Sequence, residues 1–286
     1  MAVNSPSPTV LRRWIAIELR TLRETAGITR PQVAERLQCV ASHVSHLETG
    51  RNLPNAAELR DLLTYYGVSD RTDGWLSLLA AAKRGKDWWA GWDVPEWFEL
   101  FLGLESSAVQ IESYDALTVP GILQTPDYAE AIIRGGDPEL DDAEVDRRLR
   151  LRLTRQQILE QDHPPRVWSV LDESALLRPA GKPDQVLRSQ LEHLLRLSQR
   201  PTVDLQILRL DSGIHAGLHG TFTLLSFPTE LIGGTVAYTE DQARGRYYEN
   251  DNQVLGFRRT LTRVQVHAQS QAESQEILAQ RIQELS

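Results

Sequence analysis

Residues 29–50, TRPQVAERLQCVASHVSHLETG, decide the fold of the first part of the chain. Thr29 with Gln32 three residues later is the pattern of a capping box, in which two side chains close the start of a helix. The apolar residues that follow recur at helical spacing and are interrupted by a turn at residues 38–40. A second helix is predicted over residues 41–49. The stretch therefore predicts two short helices joined by a tight turn.

The sequence on both sides of this stretch predicts a small helical bundle. A preceding helix is predicted from Val10 to Ala26, because its apolar residues fall on one stripe: Leu11, Ile15, Leu19 and Leu22. Gly27 is well suited to end that helix. After the two short helices, leucines at helical spacing predict further helices that end near Lys83. We expect a bundle of four or five helices.

The spacing T-x-x-x-VAERL, a short turn, and S-x-V-S-x-LETG-R-x-x-P resembles the helix-turn-helix of lambda-repressor-like, Cro- and XRE-type regulators over residues 10–67. The resemblance implies that the second helix of the pair enters the major groove of double-stranded DNA. The chain departs from the family pattern at Arg30, where many relatives carry glutamine. The DNA-binding candidates are Ser42, His43 and His46 for base edges, and Arg30, Ser45, Thr49, Arg51, Asn52 and Asn55 for phosphates.

Three alternatives to DNA readout remain open for this pair of helices. The hairpin could belong to another kind of bundle, in which the second helix only packs. His43 and His46 lie one turn apart and could act as a pH switch. They could also bind a metal ion, although no third ligand is close in sequence.

The net charge of minus 8 and the pI near 5.4 argue at first against a nucleic-acid partner, because DNA binding depends on neutralising phosphates. The distribution of charge matters more than its sum. Residues 1–56 carry seven arginines and four glutamates, a local balance of plus 3, which leaves minus 11 for the rest. A basic first segment followed by an acidic remainder is compatible with DNA binding by the first segment alone.

The length of 286 residues and an ordinary composition predict about two globular domains. The single cysteine, Cys39, excludes an intramolecular disulfide and a zinc site built on cysteines, and favours a reducing compartment. No secretory signal and no membrane-spanning helix are visible in the sequence. We expect a cytoplasmic protein with no membrane partner.

A tryptophan-rich stretch divides the chain. We predict a disordered tail at residues 1–9, a DNA-binding domain at 10–83, a connector at 84–105 and a regulatory, partner-binding and dimerisation domain at 106–286. The connector holds four of the seven tryptophans. Their rings could form an aromatic wall for a ligand or partner helix, or they could be buried as packing. They are Trp88, Trp89, Trp92 and Trp97.

The second domain is predicted to be mixed α+β, with helices around a small mixed sheet, in a chain that is mainly α. Helices are expected at 107–114, after Thr125, and from residue 137 to about 161. Strands follow near 167–171, 203–208, 222–226, 236–239 and 246–248, with a crossover helix at Pro183–Gln199. A last helix, capped by Ser270 and Glu273, either docks on its own domain or pairs with a second subunit. The arginines near residues 147–155 favour an ion-paired, solvated surface over a second nucleic-acid surface.

The segments LESSAVQIESYDALTVPGILQTPDYAEAI, RLRLRLTRQQIL, VLDESALLRP and HAGLHGTFTLLSFP resemble the C-terminal domain of actinobacterial antitoxin-like transcriptional regulators. The resemblance covers residues 97–286. It implies a small partner protein, since such regulators have been likened to an antitoxin with its toxin.

Catalytic chemistry is weakly indicated. His215 and His219 have the spacing of two metal ligands on a helix, but interleaved glycines predict a loop. That loop could line a regulatory pocket. Asp172 and Glu173 end a strand without a partner motif, and neither a phosphate-binding loop nor a nucleophile elbow is present. We predict no enzyme activity, no cofactor and no metal site.

Taken together, the sequence predicts a homodimeric, sequence-specific transcription regulator. Its second domain would respond to a small protein or to a small-molecule effector. The alternatives are an antitoxin-like protein that neutralises a small partner and regulates its own operon, and a regulator that senses a small molecule.

Overall fold

The computed structural model describes residues 7–84, 86–178, 185–228 and 234–285, which form two compact units. The N-terminal unit ends at Ser107 and the C-terminal unit begins at Ala108. The described part of the N-terminal unit folds into helices α1 (Pro8–Thr25), α2 (Arg30–Arg36), α3 (Ala41–Glu48), α4 (Ala56–Tyr65), α5 (Thr72–Lys83) and α6 (Glu96–Ser107).

Helix α1 lies at the centre of the N-terminal unit, against α3, α5 and α6. Its predicted stripe is confirmed at Leu11, Ile15 and Leu19, which are buried, whereas Leu22 is only partly buried. The predicted start at Val10 was two residues late. The hydroxyl of Ser7 accepts a hydrogen bond from the backbone N–H of Val10 and caps the helix. Of the predicted tail, residues 7–9 belong to the folded unit and residues 1–6 lie outside the described residues.

The tryptophan-rich segment, predicted as a connector at residues 84–105, falls within the N-terminal unit. Trp89 is buried, and Gly103 on α6 brings it close to α1. A Cβ at Gly103 would lie 2.8 Å from Ser7 Oγ and 3.3 Å from the Trp89 ring, so glycine is required by this close approach. Packing is thus the role of Trp89, while Trp88, Trp92 and Trp97 remain partly or largely exposed.

The C-terminal unit contains a six-stranded sheet in the order β3-β2-β1-β4-β5-β6. Strands β1, β2 and β3 are parallel, and β4, β5 and β6 add to β1 in antiparallel fashion. The mixed sheet confirms the predicted fold class. The strands are β1 (Gln110–Asp115), β2 (Arg166–Asp172), β3 (Val203–Leu208), β4 (Phe222–Phe227), β5 (Gly234–Glu240) and β6 (Gly245–Tyr248).

The described helices of this unit are α7 (Pro126–Gly136), α8 (Asp142–Gln156), α9 (Ser174–Leu177), α10 (Gln185–Leu197), α11 (Asp251–His267) and α12 (Gln271–Glu284). Helices α9, α11 and α12 pack against strands of the sheet. Helix α11 packs on one sheet face through Leu261 and Val264, against Tyr114, Phe222 and Leu224. Helix α12 contacts α10 and β3, so of its two predicted roles, docking on its own domain is confirmed.

Several predicted elements changed in the structure. The helix predicted at 107–114 is instead the central strand β1, and α11 was not predicted at all. The long helix ends at Gln156 and continues as a 3₁₀ turn, Gln157–Glu160. The crossover helix spans Gln185–Leu197, while Pro183 lies outside the described residues. The arginines of α8 are largely ion-paired, as predicted, with pairs from Arg147 and Arg148 to Glu144 and from Arg150 to Asp146.

A polar cluster is buried within the parallel half of the sheet. The hydroxyl of Ser113 donates to Asp115 Oδ2 over 2.6 Å, and the hydroxyl of Ser169 donates to the same oxygen over 3.1 Å. Burial raises the pKa of Asp115 to about 7, and the two hydroxyl groups only partly offset this effect. The carboxyl group is therefore protonated in the folded protein under mildly acidic conditions.

This raised pKa predicts that the C-terminal unit loses stability as the pH rises from about 4, the pKa of an unfolded aspartate, toward 7. Over that interval the unfolded chain is ionised while the folded chain stays protonated. Asp115→Asn is neutral throughout and should remove the loss. We expect a higher melting temperature than wild type at pH 8, by about 2–4 °C for each kcal/mol recovered, and little difference at pH 4.5.

Asp142→Asn is the matched control, because the Asp142 side chain is 92% exposed. Scanning calorimetry of both variants at the two pH values checks the prediction. An Asp115→Asn difference from wild type that is the same at pH 4.5 and pH 8 contradicts it.

Candidate nucleic-acid interface

The predicted pair of helices is confirmed as α2 and α3. Gln32 Oε1 accepts hydrogen bonds from the backbone N–H and the hydroxyl of Thr29, at 2.9 and 2.8 Å, and closes the start of α2. Between the helices, Gln38 adopts the left-handed conformation with φ 51° and reverses the chain. Ala34 is buried on α2, which packs against α3, and a small side chain there suits two helices that cross closely.

A buried carboxylate joins α3 to α1 and α2. Glu48 Oε2 accepts hydrogen bonds from Arg23 Nη2 at 3.1 Å and from Arg30 Nε at 2.8 Å. The side chains of Glu48 and Arg23 are only 2% and 8% exposed. Arg23 also donates to the carbonyl of Ile28 in the loop before α2. The orientation of α3 therefore depends on a network of two guanidinium groups around one carboxylate.

The network changes the interpretation of Arg30, which the sequence indicated as a phosphate contact. Its guanidinium neutralises Glu48, although its side chain is still 41% exposed. The positive charge of Arg30 thus serves first to hold α2 against α3. A contact from its outer edge to DNA is compatible with this geometry.

The side chains predicted to contact bases separate into two groups. Ser42 is exposed and His46 is partly exposed on α3, and neither side chain hydrogen-bonds to another residue that the structure describes. His43 instead points toward the start of α4, with its Nε2 at 3.1 Å from Glu58 Oε1. Glu58 itself accepts from the backbone N–H of Asn55. The exposed surface available to base edges is therefore formed by Ser42 and His46.

The residues predicted to contact phosphates also differ in their structural roles. The hydroxyl of Thr49 donates to the carbonyl of Ser45 within the last turn of α3. Asn55 caps α4, its Oδ1 accepting from the N–H groups of Ala57 and Glu58. Ser45 is partly exposed, and Arg51 and Asn52 are exposed in the turn after α3.

A cleft of about 360 Å³ lies beside this turn and is lined by three positively charged side chains, those of Arg12, Arg51 and Lys83. We call it the cationic cleft; its lining residues are Arg12, His43, Gly50, Arg51, Asn52, Leu53 and Lys83. Lys83 Nζ donates to the carbonyl of Pro54 at 2.8 Å, and Arg12 Nε to that of Ala82 at 3.4 Å. These contacts hold two cations at the edge of the turn. The arrangement can bind an anion such as a phosphate.

Arg12 and Lys83 were not among the predicted site residues. They lie on α1 and α5, far from residues 29–50 in sequence, and no local pattern distinguishes them from other surface cations. Only the packing of α1 against α5 brings them together.

The remaining candidates lie outside this interface. Trp88, Trp89, Trp92 and Trp97 belong to the N-terminal unit, whereas His215 and His219 belong to the C-terminal unit. His215 Nδ1 accepts from the backbone N–H of Gly217 at 3.2 Å. Within the described residues, no group of three His, Cys, Asp or Glu side chains is arranged to hold a metal ion. None of the described helices is both long enough and apolar enough to cross a membrane.

The buried network makes a prediction for stability. Glu48→Gln keeps the shape of the side chain but leaves the buried Arg23 with only the exposed Glu24 as a counter-charge. Loss of one partner from a buried ion pair typically costs about 3–5 kcal/mol, and we expect a loss of that order from the free energy of unfolding of the N-terminal unit. Urea denaturation followed by tryptophan fluorescence measures it, since six of the seven tryptophans precede Ser107.

Glu35→Gln is the control, because Glu35 is exposed on α2. It should change the free energy of unfolding by no more than about 0.5 kcal/mol. Equal denaturation midpoints for the Glu48 and Glu35 variants would show that the buried network does not stabilise the unit.

Two sequence families match the chain. A helix-turn-helix domain matches residues 14–73, and a domain of unknown function, DUF5753, matches residues 98–280. No curated protein and no solved structure matches. The first match covers α2, α3 and most of the cationic cleft, and it supports a DNA-binding regulator. The second covers well over half of the chain. The chain therefore belongs to the DUF5753 family, and joins that domain to an N-terminal helix-turn-helix domain.

Proposed function

We propose that the chain is a sequence-specific transcription regulator that binds DNA as a homodimer through α3. The proposal rests on one observation: the exposed polar side chains of α3 lie next to a turn that is surrounded by arginine and lysine side chains. Ser42 and His46 on α3 would meet base edges. Arg12, Arg51 and Lys83 in the cationic cleft would meet the phosphates alongside.

The charge of the N-terminal unit supports a local interface rather than a generally basic surface. Over residues 1–107 it carries twelve basic and thirteen acidic residues, so the excess of arginine seen in residues 1–56 is balanced by later acids. Binding to phosphates then depends on where the cations are placed. The C-terminal unit has nineteen basic and twenty-six acidic residues and is a poor partner for DNA.

The size of the helix proposed to read DNA supports a homodimer. Helix α3 has eight residues and is about 12 Å long, so that one copy contacts only a few base pairs. Two copies related by a two-fold axis would read half-sites about 34 Å apart. Sedimentation analysis should therefore give twice the chain mass of 32.3 kDa.

The C-terminal unit is proposed to respond to a small protein or a ligand. Apolar side chains stay exposed after the parallel strands: Leu117 after β1 at 60%, Leu177 in α9 at 36% and Ile214 after β3 at 90%. The carboxyl ends of parallel strands share one sheet edge, and apolar residues concentrated there favour a protein interface. That edge supports either the dimer contact or a small partner protein.

The alternative role is that of an antitoxin-like protein that neutralises a small partner and regulates its own operon. The same exposed edge favours it. Co-purification of the product of a neighbouring gene with the full chain would support it, and the absence of any such complex would leave DNA regulation as the main role. For both roles we propose a cytoplasmic protein without catalytic activity.

The proposed base contact of Ser42 can be tested by substitution. Ser42→Ala removes a side chain that can pair with a base edge, and the loss of one good base contact is worth about 1–3 kcal/mol. Selection of bound duplexes from a random library should then show relaxed preference at one position in each half-site. Ser77→Ala on α5, where the hydroxyl bonds its own helix, is the control and should leave the selected sequence unchanged. Identical preferences for the Ser42 variant and wild type contradict the assignment.

The cationic cleft can be tested in the same way. Arg51→Ala and Lys83→Ala should each weaken binding to all sequences alike and lower the dependence of the binding constant on salt by about one ion. Fluorescence anisotropy at several salt concentrations measures both effects. Arg20→Ala is the matched control, since Arg20 is exposed on α1 but paired with Glu24. Unchanged salt dependence in the cleft variants would place the phosphates elsewhere.

A further inference from the structure

A second cleft, of about 520 Å³, lies within the C-terminal unit between α11, β5, β6 and the loop before β4. We call it the aromatic cleft. Its volume is typical of sites that hold a small organic molecule. It is lined by Ala216, Gly217, His219, Gly220, Thr221, Phe222, Thr239, Tyr248, Gln253, Gly256, Phe257 and Thr260.

Aromatic rings line part of this cleft. The ring centroid of Phe257 lies 5.4 Å from that of Phe222 and 4.9 Å from that of Tyr248, both at tilted angles. These three side chains come from α11, β4 and β6 and pack against the core beneath the cleft. Tyr248 and Phe257 are partly exposed and present carbon-rich faces on which another planar ring can stack, whereas Phe222 is buried and supports them from below.

Charge and polarity restrict what the cleft can bind. The described residues that line it include no aspartate, glutamate, lysine or arginine. Hydrogen-bonding groups are supplied by His219, Thr239, Gln253 and Thr260. An ionised ligand would lose its hydration without gaining a counter-charge, so the lining favours a neutral molecule. A few hydrogen bonds would fix its orientation.

Two glycines keep the cleft in its present form. A Cβ at Gly217 would lie 2.6 Å from the Tyr114 ring, so the loop rests directly on the core at that point. Gly256 lies within α11, where glycine weakens a helix, and a Cβ there would meet nothing within 4 Å. The missing side chain at Gly256 leaves open space in the wall of the cleft.

We propose that the aromatic cleft binds a neutral, mainly apolar small molecule that contains an aromatic ring. The inference rests on the part of the proposed function in which the C-terminal unit responds to a ligand, and it names the site and the ligand class. Tyr248 and Phe257 contact the ring, with Phe222 packed beneath them, while Thr239, Gln253 and Thr260 bond its polar substituents. The loop carrying His219, predicted to line a regulatory pocket, supplies one wall.

The test uses the full chain without DNA and the neutral fluorescent probe N-phenyl-1-naphthylamine. We expect a saturable rise in fluorescence with one probe bound per chain. Gly256→Phe places a ring in the open space of the cleft and should weaken probe binding at least tenfold. Gly135→Phe is the matched control, since Gly135 is exposed on α7 and its Cβ would also meet nothing within 4 Å; it should bind as wild type does.

Circular dichroism shows whether each variant is folded, and Gly256→Leu replaces the phenylalanine variant if that one is not. Failure of the wild-type chain to bind the probe overturns the inference, as does equal binding by the Gly256 and Gly135 variants. DNA affinity is measured separately, with and without probe. Loss of DNA binding alone counts against the proposed regulator but leaves the cleft intact, whereas probe binding that leaves DNA affinity unchanged supports the site and contradicts its role in regulation.

Discussion

The N-terminal unit depends on one buried carboxylate. Glu48 ends α3 and lies between Arg23 of α1 and Arg30 at the start of α2, so a single side chain fixes the helix that would read DNA against the two helices behind it. A buried charge is tolerated only when it is well paired. If one partner is removed, the desolvation of the remaining buried charges is no longer offset by ion pairing. The orientation of α3 is therefore specific, because another packing of the same helices would separate Glu48 from its arginines. Ser42 and His46, which we propose contact bases, take their direction from this arrangement, as does the turn that carries Arg51.

The C-terminal unit combines a polar cluster buried in its sheet with a cleft that is open at its surface. Its sheet changes from parallel to antiparallel at β1, where β2 and β4 are the neighbours. Ser113 and Ser169 both donate hydrogen bonds to Asp115 inside the parallel half of the sheet. On the other face, α11 closes only part of the sheet, and the aromatic cleft remains between α11 and the loop that follows β3. Such a unit can hold a ligand without rearranging its core, since the rings that line the cleft already pack together.

Much of the fold could be predicted from the sequence where local signals agreed. The capping pair Thr29 and Gln32, together with helical spacing of apolar residues, placed α2 and α3 within one or two residues. Strand β1 was missed because Glu112, Ser113 and Asp115 interrupt its apolar pattern, and only the ion pair of Glu112 with Arg258 and the bonds to Ser169 explain their burial. For the proposed interface, local spacing pointed to Ser42 and Arg51. The partners of Arg30 and His43, and the position of Arg12 and Lys83 beside the turn, depend on contacts between different helices.

We propose that contact with DNA is confined to α3, the turn after it and the cationic cleft. Hydrogen–deuterium exchange of the full chain, with and without a duplex selected by the protein itself, measures this, since bound DNA slows exchange of the backbone amides it covers. The structure predicts slower exchange in peptides covering residues 41–53 and in those containing Arg12 and Lys83. Strands β1 to β6 should exchange as they do in the free protein. Slower exchange limited to the C-terminal unit, with residues 41–53 unchanged, would show that DNA does not bind through α3.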